Sequence, residues 1–149
     1  MNRRTLSLHW IATAAMLQVS SWGQAQGLLE LSAGIYRIRA EVVNTYESRA
    51  EGLMFRKSLS ANSGMLFVFD QTAKHCMWMR NTLIPLSVAF VDEQGHILNV
   101  EEMSPQTEDS HCATKPAKFA LEMNVGWFKS RGLGQGVMLV GLDKAPPAR

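Results

Sequence analysis

Long apolar runs are missing from this 149-residue chain. The segment from Trp10 to Val19 covers about ten residues where a membrane-spanning helix takes roughly 20, and no later stretch is continuous enough to act as a second anchor. Phosphate loops, nucleophile elbows and zinc helices are also missing, so none of the common local signatures of catalysis is present. No serine, threonine or cysteine stands with a base and an orienting group that sequence alone can bring together. There is no internal repeat and no low-complexity segment. Cysteine is limited to Cys76 and Cys112.

The opening residues have the layout of a secretory signal peptide: Arg3 and Arg4, the short apolar segment, then small residues around Gly23 and Ala25. The general secretory route is expected over a twin-arginine route, because His9 interrupts the pattern after Arg3-Arg4-Thr5-Leu6. An uncleaved amphipathic anchor is the alternative. The expected organisation is a signal peptide over residues 1–25, a linker over 26–34, a β-rich domain over 35–143 and a loose tail over 144–149. Removing 25 residues from 149 leaves 124, enough for one core. It also removes two of 15 basic residues and leaves 13 against 13 acidic ones. A charge near zero argues against a nucleic-acid partner, and no membrane contact is expected after cleavage.

Periodicity predicts the elements. Ile35 to Val43 alternates, with Tyr36, Ile38, Ala40 and Val42 on one face and Arg37, Arg39 and Glu41 on the other. Asn44 and Glu47 are expected to form a capping box for a helix from Tyr46 to Leu53. Gly64 opens the strand MLFVF, and HCMWM, LSVAFV, HILNV, KFALEM and VMLVGL read as further strands. Asp92 to Gly95 makes a hairpin, Ser104 to Pro116 a polar loop, and Asn124 caps a short helix, VGWFKSR. The fold class is therefore mostly β, a single-domain barrel or jelly-roll-like sandwich with one or two short helices.

In an exported chain, Cys76 and Cys112 are expected to form a disulfide, the alternative being two free thiols. A zinc site built from His75-Cys76 and His111-Cys112 conflicts with strand geometry, since neighbouring side chains point to opposite faces. The same alternation places His75, Met77 and Met79 on one face, a donor set suited to copper(I). Methionine as core filler is the plainer reading.

Arg49, Arg56, Arg80, Asn81, Thr82 and Glu122 are polar residues set against apolar sequence. In FALEM, Glu122 shares a face with Ala120, opposite Phe119, Leu121 and Met123, and is expected to seek Arg80 or Arg56. Such a pair either locks the fold or receives a small anionic or sugar-like ligand. A glycosidase-like pairing of Glu122 with Asp92 is the hydrolase alternative.

The segments GLMFRKSL, NSGMLFVFD, MWMRNTLIPLSVAF, VDEQGHI and FALEMNVGWF, in that order, closely resemble domain-of-unknown-function family 192 from about Val42 to Leu142. The resemblance implies a compact β-rich domain, often exported, with no established activity. The family's most recognisable positions map onto Gly52, Leu53, Met54, Arg56, Gly64, Met65, Trp78, Met79, Asn81, Thr82, Pro85, Leu86, Leu121, Glu122 and Gly126. None brings a catalytic role, and Ser87 and Val137 stand where relatives often carry an acid. The sequence reading is thus a periplasmic or secreted module without a cofactor, more a binder than an enzyme. It takes a small polar ligand or a protein partner at Arg56, Arg80, Asn81, Thr82 and Glu122.

Overall fold

The computed structural model describes residues 27–149, so the signal-peptide reading lies outside the described residues. Nine strands follow in chain order: β1 (Leu29–Ala33), β2 (Tyr36–Val43), β3 (Ser63–Ala73), β4 (Cys76–Met77), β5 (Leu86–Val91), β6 (Ile97–Met103), β7 (His111–Cys112), β8 (Ala117–Asn124) and β9 (Leu139–Val140). The α-helix described is α1 (Tyr46–Glu51), between β2 and β3. The chain is mostly β, as the alternating runs predict.

Seven strands form one curled sheet in the order β6-β5-β8-β3-β2-β1-β9, and β4 pairs with β7 in a separate two-stranded ribbon. Within the sheet β2 and β3 run parallel, which is why α1 and a loop must cross between them. The two ends of the sheet touch: His96 bridges to Met138, and the Leu139 amide donates to the Gly95 carbonyl at 2.8 Å. The result is a half-barrel drawn nearly shut.

Both faces of the sheet are covered. Inside the curl, Leu31, Ile38, Leu66, Leu121, Met123, Trp127 and Phe128 pack as one core. On the outer face, Met65, Phe67, Phe69, Val88, Phe90 and Ala120 form a second. That layer is roofed by α1 on one side and by a strap, residues 76–84, on the other, with Leu53 and Met79 buried beneath them. Strands covered on both faces read as nearly continuous apolar runs, which accounts for MLFVF and LSVAFV.

Several expectations need correction. Within the expected linker, Leu29–Ala33 form β1, paired along its length with β2. The tail is docked: Asn44 donates to the Pro147 carbonyl at 2.7 Å, and the Arg149 amide donates to the Asn44 carbonyl at 2.7 Å. That use of Asn44 leaves the α1 capping box to Thr45 and Ser48, and α1 ends at Glu51 rather than Leu53. HCMWM forms a strand only over Cys76–Met77, and VMLVGL only over Leu139–Val140 with the isolated Met138 bridge before it. VGWFKSR makes turns and a short 3-10 segment, Lys129–Arg131, that ends at Gly132.

Candidate functional site

The strap begins where β3 leaves the sheet. Cys76 of β4 lies directly opposite Cys112 of β7, and the two form the disulfide that the exported-chain reading expected. Beyond it, the Met79 amide donates to the Thr107 carbonyl and the Gln106 amide to the Thr82 carbonyl, both at 3.0 Å. These bonds fix the strap against the 104–113 loop. Met79, fully buried, plugs it into the outer core.

Between strap and helix lies a cleft of about 310 Å3 lined by Tyr46, Arg49, Phe69, His75, Met77 and Trp78. Trp78 is about half exposed (49%) and Tyr46 more so. Beside it, sharing Arg49, Phe67, Met77 and Trp78, is a chamber of about 30 Å3 that Thr82 and Glu122 also line. A space of that size holds roughly one water molecule or one small polar group.

Glu122 comes to this chamber through the register of β8. It is paired with Met65 on one side and Val88 on the other, on the outer face of the sheet. Only 4% of it is exposed. Among the described residues, no side chain or amide donates a hydrogen bond to its carboxylate, and no cation pairs with it. Burial alone pushes its pKa up from 4.5 to about 8. At neutral pH it is a carboxylic acid with a proton to donate.

The expected Glu122–arginine pair is therefore absent. Arg56 grips Glu41 through both terminal nitrogens, at 2.6 and 3.1 Å, and this bond holds the Arg56 pKa above its ordinary value. Arg80 stands 3.6 Å from Glu108 and lies 5.8 Å over the Trp78 ring. Asn81 is an exposed turn residue at φ 55°, whose carbonyl accepts from the Phe55 amide at 2.9 Å. Of the five site residues read from sequence, only Thr82 and Glu122 share the chamber; Arg56, Arg80 and Asn81 lie outside its lining. Arg49 does reach it, but Nη1 donates to the Asn44 and Val68 carbonyls at 2.8 and 3.1 Å, and Nη2 stands 3.8 Å from Asp70.

The other readings find little geometry. His75 stacks on Phe69 at 3.7 Å with Nε2 2.8 Å from the Gln71 carbonyl, while Met79 is sealed in the core, so the copper(I) donor set does not meet at an accessible point. The disulfide consumes both thiols of the zinc reading, and among the described residues no group of three His, Cys, Asp or Glu is placed to hold a metal ion. Asp92 serves its hairpin, accepting from the Gln94 and His96 amides, and lines neither the cleft nor the chamber. Trp78 and Tyr46, with Glu51, Phe67, Phe69 and Asp70, are among the lining residues that sequence reasoning left out of the site. An aromatic residue next to a disulfide-bonded strand was the available signal for Trp78.

The family model for DUF192, described as "Uncharacterized ACR", matches residues 29–141. No match was found among curated proteins. Solved structures that share the fold include two crystal structures. One is of a Novosphingobium aromaticivorans protein of unknown function, with a TM-score of 0.70 and 30% identity, covering 75% of this chain and 82% of that one. The other, from Sinorhizobium meliloti and described provisionally as a transcription regulator, has a TM-score of 0.70 and 30% identity, covering 76% of this chain and 91% of that one.

Proposed function

We infer a ligand-binding role for this chain, which belongs to domain-of-unknown-function family 192, a family of uncharacterised proteins. The observation that carries the reading is Glu122: a buried acid with no partner among the described residues, facing a chamber beside a half-exposed tryptophan. Burying a polar group without a partner is costly, and such a group under an aromatic cleft suits a site that a ligand completes. A small polar molecule lies across Trp78 and Met77 in the outer cleft and places one donor or acceptor group in the chamber, against Glu122 and Thr82. We extend the reading to an exported protein, since a disulfide and the amino-terminal pattern accord with secretion. No described helix is long and apolar enough to cross a membrane.

The regulator description of the Sinorhizobium protein does not carry over easily. Helix α1 has six residues, too short to read a major groove, and the expected mature charge is near zero.

Native mass spectrometry of protein recovered from its own host tests the reading. The expected result is a small molecule retained by the parent and lost from Trp78→Ala, with folding checked by circular dichroism. A folded parent that carries nothing, and that Trp78→Ala matches across a panel of small metabolites, would refute it.

A further inference from the structure

Granting the binding reading above, the charges around the cleft identify the kind of ligand. Glu51 and Arg49 come from α1, Asp70 from β3, His75 from the link between β3 and the strap, and Glu122 from β8. Three acids thus face one arginine and one histidine. The arginine is already committed to two carbonyls and to Asp70, and His75 Nε2 to the Gln71 carbonyl. The neighbouring strand β5 adds Val88 and no charge beside Glu122. With Glu122 protonated at neutral pH, Asp70 set against Arg49 and Glu51 near enough to Arg56 to raise its pKa, an anion entering here would find no free cation among these lining groups.

The shape of the lining adds to this. A chamber of about 30 Å3 admits a group the size of a water molecule, and two of its polar side chains, Thr82 and Glu122 once ionised, offer acceptor oxygens. An ammonium group brings three donors and no acceptor. In the cleft, Met77 and Trp78, which the chamber shares, form an apolar and aromatic surface that suits a methylene arm, and the Trp78 ring already tolerates the Arg80 guanidinium at 5.8 Å.

We propose that the site takes a primary alkylammonium ion, its head in the chamber against Glu122 and Thr82 and its alkyl arm across Met77 and Trp78. The ammonium is already protonated when it arrives, whereas Glu122 is a neutral acid. Binding therefore transfers the carboxyl proton to solvent and leaves a carboxylate facing an ammonium, with charge conserved. Because a proton leaves, affinity rises about tenfold per pH unit up to about pH 8, where Glu122 ionises in the free protein, and then levels. A neutral alcohol releases no proton and shows no such rise.

The test is a titration of the full mature chain with n-butylammonium and, separately, with n-butanol. The Trp78 indole and Met77 methyl resonances are followed from about pH 6 to about pH 8. Butylammonium is expected to shift both signals, with affinity climbing through that range, and to lose its pH dependence and most of its affinity in Glu122→Gln. Butanol binding as tightly as butylammonium, with a flat pH profile, would overturn the cation assignment while leaving a ligand site in place. Butylammonium binding that survives Glu122→Gln unchanged would overturn it as well. Silence of both resonances toward both probes would sink the cleft as a binding site altogether.

Discussion

Glu122 sets the residue scale, because a carboxyl group whose pKa differs between folded and unfolded chain makes stability depend on pH. Folded, it keeps its proton up to about pH 8; unfolded, it gives it up near the ordinary 4.5. Between those values the native state holds one more proton, so raising the pH favours the unfolded chain. Stability from this group is complete below about pH 4.5, declines about tenfold in folding constant per unit, and stops declining above about pH 8. Urea midpoints are therefore expected to fall from pH 5 to pH 8 in the parent and to stay flatter in Glu122→Gln. Above pH 8 that variant should be the more stable by on the order of a few kcal/mol. Parallel pH profiles for the two proteins would refute the assignment. Glu122→Ala strands no arginine, since none is paired with it, and costs only what the enlarged chamber costs. The Arg56–Glu41 pair is partly exposed and worth at most about 1 kcal/mol despite its good geometry.

The strap is the element on which the site depends, and the disulfide closes it. Cys76 and Cys112 are 36 residues apart, a separation for which the chain-entropy model gives about 3 to 4 kcal/mol. Replacing both by serine is expected to lower the melting temperature of the oxidised protein and leave the reduced parent and the variant alike. It should also bring the Glu122 pKa, read by carboxyl carbon chemical shift, back toward 4.5, because an opened strap lets water reach the chamber. A lowered melt with an unmoved carboxyl would mean that the strap stays shut without the bond. The strap also marks where sequence reasoning reached its limit. Alternation in IYRIRAEVV sorted β2 correctly, and FALEM placed Glu122 opposite Leu121 and Met123, because the pleat fixes the face of every side chain. What covers a face is a long-range fact: Met79 and Leu53 join the outer core, and Leu53 and Arg49 to Glu51 of α1 line the chamber with Glu122, from segments that periodicity treats as separate. Arg56 and Arg80 looked available from their sequence neighbours, yet each found an acid elsewhere, Glu41 and Glu108. Residues Leu29–Ala33 carry only LELSA, too short a pattern to show that β2 needed a partner on its far side.

At the scale of the whole molecule, the sheet separates two apolar compartments, the inside of the curl and the layer beneath the strap. Glu122 belongs to the second; the contact that draws the sheet shut belongs to the first. Gly95 occupies that contact, at φ 95°, and a Cβ there would stand 2.8 Å from the Leu139 carbonyl oxygen. Its own carbonyl accepts the Leu139 amide, so backbone conformation and close approach both require glycine. Gly95→Ala is therefore expected to cost about 1 to 3 kcal/mol through the left-handed backbone, with the displaced strand adding to it. Hydrogen exchange at the Leu139 and Ile97 amides, which face each other's segments across the closure, should speed up. The Glu122 carboxyl, on the far side of the sheet, should titrate as in the parent. A Gly95→Ala protein in which the carboxyl pKa falls together with the loss of amide protection would show instead that closing the curl and roofing the chamber are one cooperative event.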